Sequence, residues 1–137
     1  MTSSLTIIEP IAAFSAHFGE RVAQNPIGTL TRAAVEVLQI NLGKRCNQAC
    51  HHCHVDAGPK RREEMDTKTA KRLMQLLAQS PETTTLDITG GAPELNANFR
   101  YLVQAARKMG KKVIDRSNLS ILFEPGQETL AQFLADE

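Results

Sequence analysis

Three times along the chain, a short run rich in β-formers gives way to a loop and then to an amphipathic helical pattern. This alternation restricts the fold more than any other feature. The first run is Val35–Leu42, closed by Gly43; the second is Thr84–Thr89, running into Gly90-Gly91; the third is Val113–Ser117. After the first run, Asp66 stands as an N-cap. Ala70, Leu73, Met74 and Leu77 follow at helical spacing, and Ser80-Pro81 ends the pattern. Phe99, Leu102, Val103 and Ala106 repeat that spacing, with Gly110 where a C-terminal glycine cap belongs. Leu130, Phe133 and Leu134 mark a final helix after Pro125.

Strand–helix alternation predicts an α/β fold with a parallel sheet, because parallel neighbours need a crossover and a helix is the usual one. Ligands of such sheets sit beyond the carboxyl ends of the strands. That edge would receive the stretch from Gly43 to Met65, the Gly90-Gly91 turn and the segment from Arg116 to Asn118. The 137 residues are enough for one hydrophobic core. We expect an N-terminal extension over residues 1–34 and the αβ domain over 35–137. In the extension, Ile11, Phe14, Phe18 and Val22 predict a helix over residues 10–24 that Asn25-Pro26 stops, with His17 on its flank.

All three cysteines, Cys46, Cys50 and Cys53, fall within eight residues, directly after the first strand. Three thiols cannot all pair as disulfides, and such crowding in one loop suits thiolates around a metal in a reducing compartment, so the cytoplasm is expected. The N-terminus lacks the basic region and apolar core of a signal peptide, and no apolar run approaches the ~20 residues of a membrane-spanning helix. A formal charge of +1 with interspersed signs points to neither a nucleic-acid nor a membrane partner.

Two chemistries suit this loop. Short spacers let three thiolates wrap one iron–sulfur cluster; four irons normally take four cysteines, so three leave one iron open to a small molecule. S-adenosylmethionine can chelate such an iron through its amino and carboxylate groups. Alternatively, His51, His52 or His54 completes a Cys3His zinc site in a non-catalytic binding or interaction module.

The pattern Cys46-x3-Cys50-x2-Cys53 after a first strand resembles the radical SAM superfamily, with His52 where that signature carries an aromatic residue. Gly90-Gly91-Ala92-Pro93-Glu94 resembles its glycine turn, although Ala92 replaces the usual acid. The resemblance implies a partial TIM-type barrel, with about three strand–helix units of the usual six behind an N-terminal helix. It further implies a 4Fe-4S cluster on Cys46, Cys50 and Cys53, and S-adenosylmethionine cleaved to a 5'-deoxyadenosyl radical. By the same resemblance, Gly90 and Gly91 receive the methionine end, His52 packs near adenine and Asn118 reaches the cofactor.

More closely, Leu38–Cys50, His54–Pro59, Leu86–Asn96 and Val113–Leu119 are similar to the arsenosugar-biosynthesis radical SAM family. That likeness implies a methylated arsenical substrate and an electron donor such as flavodoxin or ferredoxin. Because members continue past this length, the chain is expected to be the N-terminal part of such a domain, suited to holding a cofactor more than to turnover. The third strand would leave an open edge for a partner chain or for self-association.

Several charges carry two readings. Lys60-Arg61-Arg62 is a solvated face or helps dock an acidic electron donor. Asp87, Asp115 and Arg116, taken as barrel-interior charges, form a structural ion pair or contact the cofactor. Ser117 receives no role.

Overall fold

The computed structural model describes residues 18–24 and 33–137. The chain divides into two units, Met1–Ala33 and Ala34–Glu137. In the first, residues 18–23 are helical; the rest of the helix expected over 10–24 lies outside the described residues.

The second unit runs β1 (Val37–Asn41), α1 (Thr67–Ala78), β2 (Thr85–Thr89), α2 (Phe99–Lys108), β3 (Lys112–Asp115) and α3 (Leu130–Asp136). Single 3-10 turns occupy Pro93–Leu95 and Leu119–Phe123. The strands form one sheet in the order β1-β2-β3, all parallel, with Ile40 opposite Ile88 and Ile88 opposite Asp115. This is the expected α/β class: an open parallel sheet with helical crossovers, consistent with part of a barrel. Among the described residues, β1 and β3 are its edges.

Alternation along the strands assigns the two faces. Leu38, Ile40, Leu86, Ile88 and Val113 point to the helices, where Ala70, Met74 and Leu77 of α1 and Phe99, Leu102, Val103 and Ala106 of α2 complete the core. Ile121 and Leu130 close that core beyond β3. Gln39, Asp87, Ile114 and Arg116 belong to the opposite face, the interior side of a barrel. Val37 on that face is half exposed.

Local signals bound the first two helices where the sequence placed them. The Asp66 carboxylate accepts from the Thr69 N–H at 2.7 Å, which caps α1 and holds Asp66 below the usual carboxylate range. Gly110, at φ 72°, follows α2, and the Lys111 N–H returns to the Ala106 carbonyl. No helix among the described residues is long and apolar enough to cross a membrane.

Candidate cofactor site

The stretch after β1 is irregular but closed. The Met65 N–H donates to the Leu42 carbonyl at 3.0 Å and the Lys44 N–H to the Glu63 carbonyl at 2.8 Å, so the loop leaves and returns at one point of the sheet. Inside it, the Gly58 N–H donates to Lys44 and the Cys46 N–H to Gly58. Arg61 binds Asp56 at 3.2 Å and Glu63 at 2.7 Å. Part of the Lys60-Arg61-Arg62 run therefore closes the loop, while Lys60 and Arg62 stay exposed beside Arg45.

Cys46 is buried, Cys53 half-buried and Cys50 exposed, all as free thiols. The Cys46 sulfur accepts from the Gln48 N–H at 3.4 Å, and the Cys53 sulfur from the Ala57 N–H at 3.3 Å. Asp56 takes φ 53°, a left-handed turn that Asp tolerates better than most residues, one position before Ala57. The Ala57 N–H, and after it that of Val55, holds the Cys53 thiol below its usual range. Amides directed at sulfur favour the thiolate, the form that ligates metal. As the side chains stand, no three His, Cys, Asp or Glu groups among the described residues are gathered tightly enough to hold a metal ion. The donor set itself fits an iron–sulfur cluster: three free thiols on one closed loop, two of them supplied with N–H donors.

The other two expected segments do meet this loop. The Gly91 N–H donates to Gly43 at 3.0 Å and the Ala92 N–H to Arg45 at 2.9 Å, which lays the glycine turn along the start of the loop. A Cβ on Gly91 would collide with the Arg45 carbonyl and stand 3.0 Å from the Cys46 Cβ, so the approach itself demands glycine. Gly90 sits at φ 147°, where an added Cβ would lie 2.8 Å from the Gly43 oxygen.

From the end of β3, Asn118 Nδ2 donates to Asn47 Oδ1 at 3.1 Å and lies 3.7 Å from the Cys46 sulfur. The Ser120 hydroxyl donates to Asn118 Oδ1 and accepts from Asn47 and Gln48, each at 3.0 Å. Ser117 is exposed and turns its hydroxyl to the Asn118 carbonyl. His52 stands apart: it is exposed, edge-on to His51 with ring centroids 4.9 Å apart. His54 is exposed as well.

Residues without an assigned role hold the site together. Asn96, buried, donates to the Leu42 carbonyl at 3.0 Å and to the Met65 carbonyl at 3.1 Å, binding both ends of the cysteine loop. Its own oxygen accepts from the N–H and the side chain of Asn98, which also donates to Met65. Asn98 looks like an N-cap in sequence, yet its side chain caps nothing in α2. The only sequence signal was two asparagines beside a glycine turn, a pattern shared with ordinary surface turns.

The strand charges correct one expectation. Arg116 grips Asp87 through two bonds, Nε to Oδ1 at 2.8 Å and Nη2 to Oδ2 at 2.7 Å, and Gln39 adds a third at 3.0 Å. The Arg116 bonds, and secondarily Gln39, hold the Asp87 carboxyl below its usual range. This is the structural ion pair. Asp115 has no part in it, because neighbours in a strand point to opposite faces: Arg116 faces the barrel interior and Asp115 the helices.

The sequence pattern of the radical SAM superfamily matches residues 40–135, so the chain belongs to that superfamily. A comparison with curated proteins gave no match. Membership carries the general chemistry of the class, S-adenosylmethionine cleavage with an iron–sulfur cluster.

Proposed function

We propose that this chain holds a 4Fe-4S cluster through Cys46, Cys50 and Cys53 and presents S-adenosylmethionine to it. The observation that carries this reading is the joining of three segments at the carboxyl ends of the strands: the Gly91 N–H reaches Gly43, and the Asn118 amide reaches Cys46. When bound, the cluster supplies the electron that cleaves the sulfonium to a 5'-deoxyadenosyl radical.

The chain's own residues do the holding. Since the Gly91 and Ala92 N–H groups are already donated within the protein, the turn offers a ligand carbonyl oxygens, which suit the methionine ammonium. Asn118, in contact with the first cysteine, reaches the cofactor from the end of β3 in this reading. His52, exposed on the loop, has the planar ring to cover adenine. The substrate we propose is a trivalent methylated arsenical, and the compartment is the cytoplasm. The reductant is a flavodoxin or ferredoxin, and the open β3 edge pairs with a partner chain or a second copy.

Anaerobic reconstitution followed by iron, sulfide and electron paramagnetic resonance analysis tests the cluster. About four irons and four sulfides, with an altered resonance on adding S-adenosylmethionine, are expected. Zinc without sulfide would replace the reading with the Cys3His module. Release of 5'-deoxyadenosine after reduction tests cleavage, and an arsenic-containing nucleoside formed only with the arsenical tests the substrate.

A further inference from the structure

Behind the glycine turn, on the helix side of the sheet, lie two acids that the proposed chemistry does not use. Glu94, in the 3-10 turn Pro93–Leu95, is 5% exposed, and neither of its carboxylate oxygens has a hydrogen-bond donor. Both oxygens of Asp115, at the end of β3, are also closed to solvent and without a donor. Glu94 acts on Asp115 both as a charge and as a hydrogen-bonding neighbour.

Neither acid is hydrogen-bonded to a cation. Arg107 of α2 and Glu137 beyond α3 line the cleft beside Asp115 together with Val103, Val113 and Leu134, but Arg107 makes no hydrogen bond to the carboxylate. Arg116 is committed to Asp87 on the other face. Gln127 donates to the Glu94 backbone carbonyl, not to its side chain. Two ionised carboxylates cannot bond to each other, since neither has a proton to donate; one proton between them satisfies both.

We infer that Glu94 and Asp115 share a single proton and that this carboxyl–carboxylate bond ties the glycine turn to the end of β3. They are positioning residues. The turn they brace begins only three residues before Glu94, at Gly91, whose backbone lies against Arg45 and Cys46. The inference stands on these two carboxyls alone and is independent of what the turn binds. Burial first, and then the Glu94 charge, push Asp115 from 3.8 up to about 7. A carboxyl held this way contributes stability that is fully present below its unfolded value and is lost as pH rises through the folded value.

The experiment uses the chain without any cofactor. Thermal unfolding of the native chain, Asp115→Asn and Glu94→Gln is followed from pH 5 to pH 8. An amide supplies its own donor, so each variant keeps the bond without the proton. The folded-to-unfolded ratio of the native chain should fall relative to either variant by up to about tenfold per pH unit as far as pH 7. Parallel curves would overturn the shared proton. Should the variants not fold, carbon-13 titration of the native carboxyls decides: one midpoint near pH 7 supports it, and both below pH 5 refute it. The bracing is read from amide exchange at Gly91 and Ala92. Beyond the intrinsic base-catalysed rate, exchange should accelerate across pH 6 to 8 in the native chain and not in Asp115→Asn; equal acceleration in both would remove the positioning role.

Discussion

Asp87 on β2 and Asp115 on β3 stand one register row apart on opposite faces of the sheet, and the protein treats them in opposite ways. Asp87 receives three hydrogen bonds, two of them from a guanidinium, so its charged form is the favoured one. Asp115 receives none and faces a second acid, so its neutral form is favoured. Burial alone therefore decides nothing about a carboxyl; the donors within reach do. The same contrast divides the turn after β2, where Asn96 is saturated with partners and Glu94, two residues earlier, has no donor.

The sharpest way to break this contrast is to strip a saturated residue of its function. Asn96→Ala leaves the Leu42 carbonyl without its side-chain donor, the Met65 carbonyl with that of Asn98 alone and Asn98 without its acceptor, and should cost about 3 kcal/mol in denaturant unfolding. A loss below that of an ordinary surface substitution would show that the bonds close the loop in name only. Next in size, Arg116→Met should lower the melting temperature and raise the pH at which acid unfolding begins. The sign follows from Asp87: its depressed value contributes stability above its unfolded range near 3.8, lost as pH falls, and without Arg116 that contribution shrinks. An unchanged acid limb would mean that Asp87 is not held charged by its partner.

Gly91→Ala should cost about 2 kcal/mol, since the turn must retreat from the Arg45 carbonyl, and should abolish cluster retention after reconstitution. Retention at native levels would detach the turn from the cysteine loop. The smallest effect is Gln39→Leu, about 1 kcal/mol, because the Arg116 fork remains on Asp87. If it equalled Arg116→Met, the charge would be irrelevant and only the count of bonds would matter.

Much of this architecture was legible from local rules. The three strands and three helices follow from β-former runs and helical spacing, and Asp66 and Gly110 mark boundaries by capping chemistry that needs no distant partner. Strand ends moved by at most two residues: Val113–Ser117 became Lys112–Asp115, since pairing with β2 stops there. The 3-10 turn Leu119–Phe123 was invisible, because five residues of such a turn carry no period to read. Asn96 was illegible for another reason. Its partners lie 54 and 31 residues away, and nothing local distinguishes it from a solvated asparagine. The placement of Asp115, by contrast, was available in the sequence: strict alternation along β3 already sets it opposite Arg116.

The closure of the cysteine loop at Leu42 and Met65 bears on how such a chain can vary. With both ends clamped to one point, inserted or deleted residues inside the circuit change neither the register of β1 nor the start of α1. Lengthening a closed loop is cheap in entropy, about 0.6 kcal/mol per doubling. The cysteine segment is thus a removable cassette on a fixed sheet. Grafted between another parallel strand and its helix, with an asparagine standing in for Asn96, it should keep its shape.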